Sequence, residues 1–99
     1  MKIELTPAAL DDLRSIRVYT LERWGAAQET TYLDRVWEKF GSILTNPAPY
    51  RGRPDLFPGC QIAAEGKHVI LFRVNKSTLQ VVRVLHSAMD FKRHLRSSA

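Results

Sequence analysis

Three side chains in the C-terminal third of the chain can do chemistry on a phosphate: Arg73, Arg83 and His86. Guanidinium groups on one surface can grip a phosphate backbone and stabilise charge that develops in a transition state. A histidine beside them can act as general acid or base in RNA cleavage. The same arginines have a structural alternative, which is to pair with an acidic residue such as Glu4, Asp12 or Asp90. Which of the three share a surface depends on one turn, because strand residues alternate between faces. A two-residue loop before the last strand puts Arg73 and His86 on one face with Arg83 opposite, whereas a three-residue loop brings Arg73 and Arg83 together. Residue types alone leave both arrangements open.

Other residues suit binding better than chemistry. Tyr19, Trp24 and Tyr32 can anchor a partner protein, since aromatic side chains carry much contact area. Trp37 falls in the middle of an apolar stripe and reads as core. Arg51, Arg53 and Lys67 can form a basic rim, and His68 and His94 read as surface or hydrogen-bonded residues. No glycine-rich phosphate loop, nucleophile elbow or paired-carboxylate signature is present. The basic residues lack the interleaved aromatics of single-strand binders. Cys60 is the lone cysteine and the three histidines are widely spaced, so neither a disulfide nor a zinc site is expected. No cofactor or metal is expected either.

These residues need elements to position them. Lys2 to Leu5 alternates as a short edge strand does. Thr6-Pro7 reads as a helix start, with Thr6 as cap and Pro7 at the first helical position. Ala9, Leu13, Ile16 and Thr20 form an inward stripe, and Gly25 reads as the stop. A second helix is predicted over Ala27 to Leu44, burying Leu33, Val36, Trp37, Phe40, Ile43 and Leu44 and ending before Pro47. The short connection predicts an antiparallel helical hairpin. Four prolines between Asn46 and Gly59 mark an irregular internal loop. Three strand-like runs follow, Cys60 to Glu65, His68 to Val74 and Leu79 to His86, joined by Gly66-Lys67 and by a polar turn at 75–78. A short helix over Asp90 to Leu95 ends the pattern, with 96–99 frayed. The expected fold is α+β in one domain: strand 1–5, helical hairpin 7–45, loop 46–59, three-stranded antiparallel meander 60–86 and short helix 90–95. Both parities of the last two strands are apolar, so one sheet face packs on the hairpin and the other needs the loop or a partner to cover it.

Composition agrees with one folded domain: 99 residues, 44% of them apolar, with a net charge of +5. A basic domain of this size suits nucleic acid, an acidic protein or an anionic membrane, and charge does not choose among them. The start Met1-Lys2-Ile3-Glu4 has no apolar signal segment behind it. The longest apolar run, Val69 to Phe72, is far too short to span a bilayer. The expected location is the cytoplasm, with no membrane association.

Element order and a series of short motifs carry a family resemblance. The motifs are Leu5-Thr6-Pro7-Ala8-Ala9 with Asp12-Leu13 and Ile16, then Tyr19-Thr20 with Arg23-Trp24-Gly25, Tyr32-Leu33 and Asn46-Pro47. They continue through Gly52-Arg53-Pro54, Leu56 with Pro58-Gly59, Gly66-Lys67-His68-Val69-Ile70 and Phe72-Arg73-Val74. Val82-Arg83-Val84-Leu85-His86 and Met89-Asp90 with Arg93-His94-Leu95 complete them. In this order and spacing the chain resembles the ParE branch of the RelE/ParE toxin superfamily. The resemblance implies a toxin neutralised by a ParD-like antitoxin in a hetero-oligomer, with operator DNA met only through the antitoxin. It also implies DNA gyrase as the target, inhibited by binding, with no catalytic residue. Tyr19, Trp24, Tyr32, Arg73, Arg83, His86 and Arg93 are then the candidates for antitoxin or target contact. RelE-type relatives instead cleave mRNA on the ribosome. That alternative falls to Arg73, Arg83 and His86 here, although no tyrosine follows the last strand. A third alternative is a degenerate toxin acting only as an interaction module. The chain departs from the pattern at Ser87-Ala88-Met89, where many such sequences carry a further basic residue.

Overall fold

The computed structural model describes residues 2–98, and the side chains of residues 2–95. In chain order the elements are β1 (Lys2–Leu5), α1 (Pro7–Trp24), α2 (Ala26–Thr45), β2 (Arg51–Gly52), β3 (Gln61–Glu65), β4 (His68–Asn75), β5 (Thr78–His86) and α3 (Phe91–Ser98). The expected α+β architecture is present. Two features extend it: a two-residue strand, β2, lies inside the predicted loop, and the terminal helix runs on through Ser98. The expected fraying at 96–98 is therefore replaced by helix, and Ala99 lies outside the described residues, as does Met1.

Local chemistry explains both helix starts. The Thr6 hydroxyl accepts the Ala9 N–H at 3.0 Å, and Pro7 needs no donor at the first helical position. Gly25 alone joins the two helices, at φ 91°, where a side chain would strain the backbone. Its N–H closes α1 on the Leu21 carbonyl, and its carbonyl opens α2 by accepting from Glu29. Inward stripes then bury Ala9, Leu13, Ile16 and Thr20 of α1 and Val36, Phe40 and Ile43 of α2. Trp37 departs from its expected core position. It is 48% exposed, with its ring edge-on to Phe40 on the outer side of the hairpin.

The sheet has five strands in the order β1-β5-β4-β3-β2, and only the β1–β5 pair is parallel. Its two faces carry two separate clusters. One packs Ala63, Ile70, Phe72, Leu79, Val81 and Val84 on the hairpin. The other buries Cys60, Leu71 and Leu85 under Leu56 and Phe57 of the loop and Phe91 and Leu95 of α3. The doubly apolar strands are thus accounted for within the chain, by the loop and the terminal helix together.

Register decides which polar residues meet. The β4–β5 turn has two residues, Lys76 and Ser77, between the paired Asn75 and Thr78. A bulge then intervenes: Phe72 pairs with Val81 but Leu71 pairs with Arg83, leaving Val82 as the extra residue. From there on every β5 side chain swaps face. Arg73 and Arg83 end on the α3 side and His86 on the hairpin side. The expected link between a two-residue loop and an Arg73–His86 face therefore fails, because the bulge reverses parity after the turn. The Val82 carbonyl freed by the bulge accepts from the Thr6 hydroxyl at 2.7 Å, so the cap of α1 also seals the β5 edge.

Candidate functional site

Arg83 is held by α1. Its Nε and Nη2 donate to both carboxylate oxygens of Asp12, at 2.7 and 2.8 Å, and the two side chains are only 12% and 13% exposed. Asp12 also accepts the Val84 N–H at 2.9 Å, so it satisfies the edge of β5 beyond the reach of β1. Arg83 Nη1 donates to the His94 carbonyl of α3 at 3.1 Å. The hydrogen bonds and charge of Asp12 push the Arg83 pKa up. Arg83 thus joins α1, β5 and α3, and its planar fork is occupied by a carboxylate that a phosphate would have to displace. Of the two readings open for this residue, pairing with Asp12 is the one realised.

Arg73 sits two strand positions from Leu71 on the α3 face. Its Nε donates to the Gln80 side-chain oxygen at 2.8 Å, and Gln80 in turn donates to Glu4 at 3.0 Å. The acidic partner is therefore reached through an amide. The guanidinium carbon lies 5.6 Å from the centre of the Phe57 ring. His86 lies on the opposite face, so Arg73, Arg83 and His86 do not converge on one substrate position.

His86 instead meets residues that the sequence placed elsewhere. It pairs across the strands with His68, and the rings lie edge to face with centroids 5.5 Å apart. Tyr32 of α2 completes the group. Its hydroxyl is hydrogen-bonded to His68 Nδ1, lies 3.2 Å from the Glu65 carbonyl and accepts the Lys67 N–H at 3.3 Å. Burial raises the Tyr32 pKa, while burial and the neighbouring His86 lower that of His68. Gly66 makes room for the ring, since a Cβ there would stand 2.7 Å from Tyr32 Cε1. His68 is hydrogen-bonded, one of its two expected alternatives, but its pairing with His86 needs the bulge, since a bulge-free register sets it opposite Leu85. Sequence reasoning missed Asp12 as a specific partner because the edge that needs covering is visible only once β1 is seen to stop at Val81. Among the described residues, no group of three His, Cys, Asp or Glu side chains is placed to hold a metal ion.

The remaining binding candidates lie on the hairpin and α3. Tyr19 and Trp24 are 58% and 66% exposed, with Arg23 over the Tyr19 ring, whereas Tyr32 is tied into the histidine group. Arg93 is exposed on α3, in the turn capped by the Asp90 carboxylate, which accepts the Arg93 N–H. Between α1 and α2 runs an open groove of about 400 Å³. Leu10, Leu13, Leu33 and Trp37 give it an apolar floor, and the Arg17–Glu29 ion pair spans it at 2.9 Å. Among the described residues, no helix is long and apolar enough to cross a membrane.

This geometry defines a small α+β domain with exposed apolar side chains on its helical hairpin. The model of the family "ParE toxin of type II toxin-antitoxin system, parDE" matches residues 3–91. The chain is 36% identical over 92 residues to toxin ParE1 of Mycobacterium tuberculosis, covering 92% of this chain and 94% of that one. It is 33% identical over 93 residues to toxin ParE1 of Caulobacter vibrioides, with 92% and 94% covered. A solved structure of the chromosomal ParDE toxin–antitoxin system from P. aeruginosa shares the fold, with a TM-score of 0.74 at 20% identity over 87% of this chain and 95% of that one. The chain belongs to the ParE toxin family of type II toxin–antitoxin systems.

Proposed function

We propose that this toxin is held silent by a ParD-like antitoxin and, when released, inhibits DNA gyrase by binding it. One observation carries the preference for binding over cleavage. The residues that RNA cleavage would need are dispersed: Arg83 is engaged by Asp12, and Arg73 and His86 lie on opposite faces of the sheet. The hairpin meanwhile leaves large apolar side chains in solvent, Leu10, Val18, Tyr19, Leu21, Trp24 and Trp37. Large apolar side chains left in solvent on the hairpin suit contact with a protein partner. A net charge of +5 favours an acidic partner segment. In this reading the toxin works in the cytoplasm as a hetero-oligomer with its antitoxin and touches operator DNA only through it.

A supercoiling assay with purified toxin and gyrase tests the target. Loss of supercoiling with rising toxin, reversed by the antitoxin, is expected; unchanged supercoiling at large toxin excess defeats the reading. The alternative, ribosome-dependent mRNA cleavage, has the Tyr32–His68–His86 group in its favour, since those rings can exchange protons. It predicts codon-phased cuts in primer extension that vanish in His86→Ala.

A further inference from the structure

The groove between α1 and α2 has flanks of opposite sign. Arg14 and Arg17 line it from α1, and Glu29 and Asp34 line it from α2. Between them lies the apolar floor, in which Leu10 and Trp37 are 44% and 48% exposed. The Arg17–Glu29 ion pair sets the two helices level near the hairpin tip. About one turn further from the tip stand Arg14 on one flank and Asp34 on the other. Asp34 is exposed and has no ionic or hydrogen-bonding partner among the described residues. Arg14 holds Asp11 in a pair open to water, with side chains 75% and 72% exposed. Such a pair contributes little, so Arg14 can change partner at small cost.

These flanks discriminate between occupants. An acidic segment is drawn to the α1 flank and repelled by the α2 flank, and a basic segment meets the reverse. A second copy of the chain satisfies both. A two-fold axis along the groove lays α1 of each copy over α2 of the other and keeps levels along the groove, so each Arg14 comes over the other copy's Asp34. A two-fold axis across the groove would instead set α1 on α1, arginine against arginine. We propose that the free toxin pairs with a second copy of itself through this groove, in a two-fold four-helix arrangement that covers Leu10 and Trp37 and is registered by two Arg14–Asp34 ion pairs. The contact is self-complementary, so assembly closes at two copies. Any partner that uses the groove, an antitoxin included, competes with the second copy.

Sedimentation of the purified full chain tests the proposal, from about 1 to 100 μM at about 150 mM salt. The average mass should rise with concentration from 11.3 kDa towards twice that value. Arg14→Glu and Asp34→Arg, both at exposed positions, should each raise the dissociation constant about tenfold or more by setting like charges together. Mixed in equal amounts, the two variants should pair again, because opposite charges then meet at both contacts. A parent chain that stays monomeric throughout this range overturns the proposal. So does a dimer that neither variant weakens, which would lie on another surface, or a mixture no tighter than the variants alone. A monomeric chain that still binds its antitoxin would overturn the second copy and leave the antitoxin reading in place.

Discussion

Replacing Asp12 by alanine is the sharpest test of how the fold holds its C-terminal half. The substitution removes both carboxylate bonds to Arg83 and the acceptor of the Val84 N–H. Breaking a buried ion pair by deleting one partner costs about 3–5 kcal/mol, because the remaining charge stays desolvated. Two features move the value to the low end of that range: each side chain keeps 12–13% of its surface in solvent, and Arg83 retains the His94 carbonyl. The orphaned Val84 N–H adds about 1 kcal/mol. The expected loss is about 3–4 kcal/mol, a large share of the roughly 5–15 kcal/mol that stabilises a domain of this size. At about 4–8 °C per kcal/mol, Tm falls by about 12 °C or more.

Urea unfolding followed by circular dichroism measures the loss, and a double-mutant cycle with Arg83→Met isolates the pair. Arg83→Met leaves Asp12 with the Val84 N–H as partner, so it should cost less than Asp12→Ala. The coupling energy should be about 2 kcal/mol, and the double variant should recover part of the single loss. An Asp12→Ala cost below about 1 kcal/mol, or additive single effects, would refute the account of Arg83 as a fastener. The functional corollary separates fastening from chemistry: a folded Asp12→Leu/Arg83→Met variant should keep toxicity if the toxin works by binding and lose it if Arg83 grips a phosphate.

Three further outcomes follow from other sites. The folded His68 pKa is lowered, so the unfolded chain binds the proton more readily; stability contributed there is complete above about pH 7 and declines as pH falls through the unfolded value near 6.5. Urea melts from pH 8 to 5 should show this slope and His68→Asn should flatten it. Gly66→Ala should cost about 2 kcal/mol or more, since φ is 58° and the added carbon meets a ring held by three hydrogen-bonding neighbours; the cost should shrink in a Tyr32→Leu background. Leu10→Glu and Trp37→Glu, at positions 44% and 48% exposed, should change stability by about 1 kcal/mol or less yet weaken antitoxin binding about tenfold or more in calorimetric titration. Unaltered affinity would remove the hairpin groove from the interface.

Much of the fold was legible because its signals are local. Thr6-Pro7, Gly25 and Asn46-Pro47 mark helix ends through backbone chemistry that needs no tertiary context, and the inward stripe of α1 follows from helical period alone. The site was less legible because it depends on strand parity. A single extra residue at Val82 moves Arg83 to the side of Arg73 and His86 to the side of His68. Neither Val82 nor its neighbours differ in type from ordinary strand residues, so nothing local announces the bulge. Trp37 was misplaced for a related reason. The six-residue stripe of α2 is wider than the three positions it buries, and period does not say which flank stays outside.

The bulge also bears on how a toxin of this build can work. Both sheet faces are closed within the chain, one by the hairpin and the other by Leu56, Phe57, Phe91 and Leu95. The cations nearest the sheet centre are each given an internal task, Arg83 on Asp12 and Arg73 on Gln80 and Phe57. A nucleolytic surface needs the opposite arrangement, an open face with cations left for substrate. Six large exposed apolar side chains, Leu10, Val18, Tyr19, Leu21, Trp24 and Trp37, lie instead on α1 and α2. The sheet arginines thus serve the fold, while Tyr19, Trp24 and Trp37 of the hairpin stay exposed. That division is why the hairpin variants, rather than changes at Arg73 or Arg83, should separate antitoxin and target binding from stability.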